Sequence, residues 1–389
     1  MPTKTLPNPN PSRQKLRSLL IIALLSKVFV FGLIFLSYQY LPYCEACRTS
    51  NFLYPADSPQ TLLSAYQTWD AQHYLYLAEA GYQPELIGSN AFSPLFPLLM
   101  RLFRPLFLGN TFLTGIVLAN IFSLLAVVYF YLFVKERYYP QAAFTAGLFL
   151  LAFPTAFYLN LIYTESLFLL LVMIAFYALY RRKLGPVLAV GLLLPLARTV
   201  GLLVAVPLIF QIMFTAGYAH QLSQKLKASA LVAVSFGVGF VLYLALMQYY
   251  TGSPFSGFEA QHLFLADNSI SNLLHPFQWV VRNFITVEYT IHDFSSSIID
   301  RFFFFSFLVL LYFVFRKLDL TLFVYALVAG LVPAFSDALN SFPRYMLIVF
   351  PIFIALALAF PRRHKYLIIL MAIVQALFVF VQSANYWVA

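Results

Sequence analysis

Asp70 and His73 stand three residues apart in the stretch Trp69-Asp70-Ala71-Gln72-His73-Tyr74, and both are residue types that move protons. One carboxylate suffices as a general base when the leaving group departs as a stable anion and needs no acid. The three-residue spacing puts both side chains on one face of a helix. Two plainer roles fit the same residues: Asp70 as the cap of a helix that begins there, and His73 as a packing histidine. Glu165 follows Thr164 at the start of another helical pattern, where the helix dipole stabilises an acid. Arg198 and Arg344 fall at helix ends in apolar surroundings, where a guanidinium is costly unless paired. The partner is either a phosphate, whose oxygens match the guanidinium fork, or an acid such as Glu165 or Asp337.

Two further clusters compete for attention. Cys44 and Cys47 form a C-x-x-C, read as a small structural disulfide or two free thiols; neither a thioredoxin-like setting nor a set of zinc ligands accompanies them. Glu288, Asp293 and Asp300 carry the hard oxygens that suit a divalent cation, but their spacing matches no metal loop. A solvated loop face accounts for them, and no metal site is expected.

The elements that must position these residues are set by composition. Of 389 residues, 62% are hydrophobic and only 10% charged, and the mean hydropathy is +0.81. A soluble domain carries about a quarter charged residues and has no core that hides this much apolar surface. The chain is therefore all-α and polytopic, with lipid as its solvent. The net charge of +10 does not make a nucleic-acid footprint, because the basic residues are spread along the chain rather than gathered on one face.

Apolar runs predict spans over Leu19–Tyr38, Phe112–Val134, Gln141–Asn160, Tyr163–Tyr180, Ala228–Tyr250, Arg301–Phe315, Leu320–Phe335, Tyr345–Phe360 and Tyr366–Gln382. Leu184–Phe214 reads as two short helices turning near Pro195 and Arg198, which preserves the charge pattern that follows. The total is about eleven helices at the usual span length in one integral membrane domain covering 1–389. The short loops at 135–137, 181–183, 225–227, 316–317 and 362–365 concentrate Lys and Arg, which marks them, and the N-terminus, as cytoplasmic. All carboxylates except Glu136 and Asp319 then fall on the other side, where chemistry is expected.

Two outer loops are long, 41–110 and 251–300. The first holds a helical pattern over Leu62–Ala80 and an apolar stretch, Ala91–Leu108, whose three prolines and two arginines suit a helix lying in the interface. The chain shows no internal repeat, and the Pro-rich stretch with Pro2, Pro7, Pro9 and Pro11 is expected to be flexible.

The stretch from Trp69 to Tyr82, with Gly81-Tyr82, then Glu85, Ala91-Phe92-Ser93-Pro94-Leu95-Phe96-Pro97 and Arg101, resembles the first luminal loop of the GPI mannosyltransferase II (PIG-V) family. Tyr163-Thr164-Glu165-Ser166-Leu167-Phe168, Pro343-Arg344-Tyr345 and Phe350-Pro351 agree with it further along. Ser93 stands where that family commonly has an aromatic residue, and Tyr74 where it commonly has Phe. The resemblance covers most of the chain in order and topology. It implies a GT-C-like helical bundle and a glycosyltransferase, expected to be a mannosyltransferase, that takes sugar from a polyprenyl phosphate with inversion. It implies Asp70 and His73 as catalytic residues and Trp69, Glu165, Arg198, Arg344 and Tyr345 as substrate contacts. No cofactor is expected beyond the lipid-linked donor. The other partners are a glycolipid or envelope-glycan acceptor and membrane lipids, without nucleic acid. A bacterial plasma membrane is the expected location in preference to the endoplasmic reticulum. The alternative, a transporter or flippase without transferase activity, would be expected to show paired repeats with broken helices and midplane charges, and the charges here gather at the outer interface.

Overall fold

The computed structural model describes residues 11–50, 52–56, 58–214, 221–263, 273–285, 297–335 and 339–388. Among them every regular element is helical. Five helices are long and apolar enough to cross a membrane: Pro11–Tyr40, Thr111–Arg137, Leu222–Thr251, Ile298–Lys317 and His364–Ser383. Five shorter apolar helices, among them Pro140–Ala152, Glu165–Tyr180, Leu184–Ala197 and Leu320–Phe335, pack with them. The expectation of about eleven spans counted such short pieces as crossings; among the described residues, five helices qualify by length and composition, or six with one bent pair.

Burial sorts these helices into layers. Glu165–Tyr180 is apolar on all sides and buried along nearly its whole length, as a helix at the centre of a bundle must be. It packs against Thr111–Arg137 and Leu184–Ala197. Pro11–Tyr40 and His364–Ser383 pair at the rim and keep large side chains such as Leu25, Val28, Leu370 and Leu377 exposed, which in this composition is a lipid-facing surface.

Three expected elements are broken, and each break has a local cause. The run Gln141–Asn160 ends as a helix at Ala152, because Pro154 forces Phe153 out of the helical region, with ψ at 138°. A short 3-10 turn, Ala156–Asn160, completes it. The run Tyr345–Phe360 is two helices, Phe342–Ile348 and Pro351–Ala359, bent by 82° where Pro351 interrupts the ladder. The run Leu62–Ala80 divides into a 3-10 turn, Leu62–Tyr66, and a helix, Asp70–Glu79. Trp69 separates them with φ at 55°, a left-handed value that no helix continues through. Leu184–Phe214 turns at Arg198 into Thr199–Val204 and Ala205–Phe214, in line with the two short helices expected there.

The described part of the stretch 41–110 is therefore a series of short helical segments. Its Leu95–Phe103 helix buries Phe96 and Met100 while leaving Leu98 and Leu102 exposed, the two-faced pattern of a helix lying in the interface. Arg101 reaches back to donate from Nε to the Ala78 carbonyl at 2.9 Å and from Nη2 to the Glu79 carbonyl at 3.0 Å. It thereby satisfies the end of the Asp70–Glu79 helix, where carbonyls lack partners. Gly81 at φ 84° turns the chain away beside that guanidinium. The Gly81 and Arg101 of the motif are thus parts of one helix stop.

Candidate active site

Asp70 is the first residue of its helix, after the N-cap Trp69, and is buried. Its Oδ2 accepts from Arg344 Nη1 at 2.7 Å, across 274 residues of sequence. Arg344 Nε lies 3.1 Å from Glu165 Oε1, and the same oxygen accepts from Arg198 Nη1 at 2.8 Å. Two acids and two bases thus alternate in a row, Asp70, Arg344, Glu165, Arg198. Glu165 is 1% exposed and Asp70 7%, so these charges are balanced by one another rather than by solvent.

Aromatic rings wall the row. The Arg344 guanidinium lies 5.5 Å from the ring centres of both Tyr158 and Tyr163, and Arg198 is 5.5 Å from Tyr345. These are cation–π distances. Tyr74, on the Asp70 helix, meets Thr164 Oγ1 at 3.3 Å; burial, then the charges of Glu165 and Asp70, push its hydroxyl well above the usual range. Tyr163 donates to the Thr68 carbonyl at 2.9 Å, which links the turn before the Glu165 helix to the residue before Trp69.

Each site residue owes its place to a break in a helix. Arg344 is carried by the short Phe342–Ile348 helix, whose first amide, Phe342 N, donates to Asp300 Oδ1 at 2.8 Å. Asp300 also accepts from Ser297 Oγ at 2.7 Å and is 2% exposed. It is therefore a buried anchor for the Arg344 helix, not part of a solvated acidic face. Glu288, Asp293 and Asp337 lie outside the described residues. Among the described residues, no group of three or more His, Cys, Asp or Glu side chains is placed to hold a metal ion. Cys44 and Cys47 form a disulfide.

His73 has different partners from Asp70. Its Nδ1 meets Ser89 Oγ at 3.0 Å, and its ring stacks between Phe52 at 4.5 Å and Phe92 at 4.4 Å. Burial lowers its pKa to about 3, so the ring is neutral. Trp69 packs edge-on against Trp387 at 4.9 Å.

The structure brings Asp70, Glu165, Arg198 and Arg344 into one network with Tyr345 on its wall, and sets His73 and Trp69 beside it. Sequence reasoning missed Tyr158 and Thr68. Tyr158 lies seven residues before Glu165 in a turn that reads as span, so only the Pro154 break could have flagged it.

A family model described as mannosyltransferase (PIG-V) matches residues 50–263, a stretch that holds Asp70, His73, Glu165 and Arg198. The chain belongs to the PIG-V mannosyltransferase family. No curated protein matches this PIG-V-family chain in sequence. Its fold is similar to that of the Archaeoglobus fulgidus oligosaccharyltransferase. The apo form superposes with a TM-score of 0.51 at 16% identity, covering 95% of this chain and 56% of that one. The archaeal enzyme AglB in complex with an inhibitory peptide and a dolichol-phosphate gives a TM-score of 0.50 at 16% identity, over the same shares of the two chains. The PIG-V-family chain thus spans little more than half the length of these proteins, and the likeness shows the GT-C-like fold.

Proposed function

We propose that this membrane protein transfers a mannose from a polyprenyl-phosphate carrier to a hydroxyl of a glycolipid or envelope glycan. The observation that carries the reading is the 2.7 Å ion pair between Asp70 and Arg344. It sets a proton acceptor and a phosphate-matching cation side by side, so that a sugar phosphate bound against the pair would meet both. The family match supports the sugar. The dolichol-phosphate held by the similar archaeal enzyme supports a lipid phosphate as the carrier.

In the proposed reaction the acceptor oxygen bonds to the anomeric carbon as the bond from that carbon to the phosphate oxygen breaks. The bond electrons leave with polyprenyl phosphate, and the acceptor's proton passes to Asp70. Arg344 engages Oδ2, so Oδ1 is the oxygen outside that pair and the one to receive the proton. Departure of a phosphate needs no acid, but it concentrates negative charge, and Arg344 with Arg198 meets that charge with fork geometry. Glu165 holds both guanidinium groups through one oxygen and thereby fixes where the phosphate binds. Attack opposite the leaving group inverts the anomeric centre. Trp69 and Tyr345 supply flat apolar surfaces for the sugar, and neutral His73 fills the wall behind the Asp70 helix.

The test is transfer by purified protein in detergent, from synthetic polyprenyl-phosphate mannose to a lipid-acceptor extract, comparing wild type with Asp70→Asn. Transfer by wild type that is lost in a folded variant is the expected result. Normal turnover by Asp70→Asn, or no transfer by wild type from any polyprenyl-phosphate hexose, would overturn the reading.

A further inference from the structure

We propose that the segment Gln382–Val388 is a strap that holds Trp69 in its left-handed conformation and so sets the position of Asp70. A bulky residue at positive φ costs on the order of 1–3 kcal/mol and persists only where its surroundings over-determine it. Trp69 has φ 55° and ψ −121° immediately before Asp70. Its flanks are fixed from two sides. On one, Tyr163 donates to the Thr68 carbonyl at 2.9 Å. On the other, Gln382 Nε2 reaches Thr68 Oγ1 at 3.3 Å, and Trp387 sets its ring edge-on to Trp69 at 4.9 Å.

The strap is itself tied down. Gln382, Ser383, Ala384 and Asn385 are all 3% exposed or less, and Val388 is 4% exposed. The Ala384 carbonyl accepts from Cys44 N at 2.9 Å, and Asn385 Nδ2 donates to the Cys44 carbonyl at 3.4 Å. Asn385 is at φ 67°, a turn that an asparagine tolerates and that comes two residues before Trp387. The strap therefore joins the disulfide-bearing start of the outer stretch to the residues flanking Asp70, and lies outside the span matched by the family model. Trp387 and Gln382 are positioning residues that act through Trp69 and Thr68.

Insofar as it concerns turnover, the inference rests on the transferase reading, so the experiment has two arms, both on the full chain in detergent. Hydrogen exchange over residues 66–79 is measured for wild type, Trp387→Ala and Trp387→Phe. Loss of one aromatic edge contact predicts about two- to tenfold faster exchange in Trp387→Ala, confined to that stretch, with Trp387→Phe close to wild type. Unchanged exchange over 66–79, or faster exchange across the whole chain, overturns the strap. In the transfer assay, Trp387→Ala is expected to lower kcat on the order of 10–100-fold with an unchanged KM for the donor, and Trp387→Phe to restore it. In a Trp69→Ala background, Trp387→Ala should cost nothing further; additive losses overturn the coupling. Wild-type protein that transfers no sugar defeats the transferase reading, while the exchange arm still decides the strap.

Discussion

Lys27 and Arg344 are both cations set among apolar helices, and both are less than 10% exposed, yet their partners differ in kind. Lys27, within the first long helix, donates to Ser123 Oγ at 2.5 Å and Asn160 Oδ1 at 2.8 Å; among the described residues its partners are neutral. Arg344 lies between two carboxylates, one of which, Glu165, also holds Arg198 in place. A cation satisfied by neutral oxygens makes a tie between helices, here joining Pro11–Tyr40 to Thr111–Arg137 and to the turn at Asn160. A cation shared by acids can exchange one anion for another, because two oxygens of a phosphate can meet the guanidinium fork as those of a carboxylate do. Difference in partner chemistry, not depth of burial, separates the proposed active site from the scaffold.

Replacing Asp70 should break the active cluster most severely. Asp70→Asn keeps the shape and leaves Arg344 paired with Glu165, so the protein should accumulate and elute as wild type does. Turnover should fall about 10²–10⁴-fold, the usual contribution of a positioned base. A loss of less than tenfold, measured by sugar transfer, would remove Asp70 from the chemistry and reduce the cluster to a second structural tie.

Arg344 tests whether charge balance holds the site together. Arg344→Ala leaves two buried acids with one cation, a change that typically costs about 3–5 kcal/mol, and should appear as a large drop in thermal midpoint in detergent. Arg344→Lys keeps the charge but not the fork. It should fold better than the alanine variant and raise the KM for the lipid-phosphate donor more than it lowers kcat. If lysine serves as well as arginine in both parameters, a phosphate is not what this residue reads.

The scaffold cluster should respond more mildly. Lys27→Met removes an amine with no carboxylate partner among the described residues and leaves Asn160 Oδ1 without its Lys27 donor, a loss on the order of 1–3 kcal/mol. The expected signature is a lower thermal midpoint with an unchanged donor KM. A rise in donor KM would show that Lys27 also meets substrate and would erase the contrast with Arg344.

The difference between the clusters was only partly legible in the sequence. Apolar runs located the helices, because hydropathy needs only local composition, and the stretch around Trp69-Asp70 pointed to the outer cap. Arg198, Arg344 and Glu165 were recognisable as charges needing partners, since an unpaired ion in apolar surroundings is costly. What the sequence left open was which partner each would take. Arg344 could equally meet Glu165 or Asp337 on paper; its pairing with Asp70 depends on the bends at Pro154 and Pro351, which bring distant turns together. Asp300 read as part of a solvated face because its spacing to Glu288 and Asp293 matches no metal loop; it is buried, and its Oδ1 accepts from a backbone amide 42 residues away. The left-handed Trp69 carries no sequence signal, since glycine is the residue expected there.

His73 gives the smallest and most discriminating prediction. Its position in the motif suggests proton transfer, while its place between Phe52 and Phe92 suggests packing. Burial lowers its pKa from 6.5 to about 3. As pH falls below 6.5 the unfolded chain takes up a proton that the folded chain refuses, so folding stability should decline from there towards pH 3. His73→Phe keeps the aromatic stack and removes the titration. Its thermal midpoint should therefore fall less steeply than that of wild type over this interval. The pH profile of turnover should be the same in both proteins, because a ring that is neutral at neutral pH contributes no limb there. A limb near pH 6.5 that disappears in His73→Phe would instead make His73 a proton carrier. The boundary of the reacting cluster would then shift to include the aromatic wall.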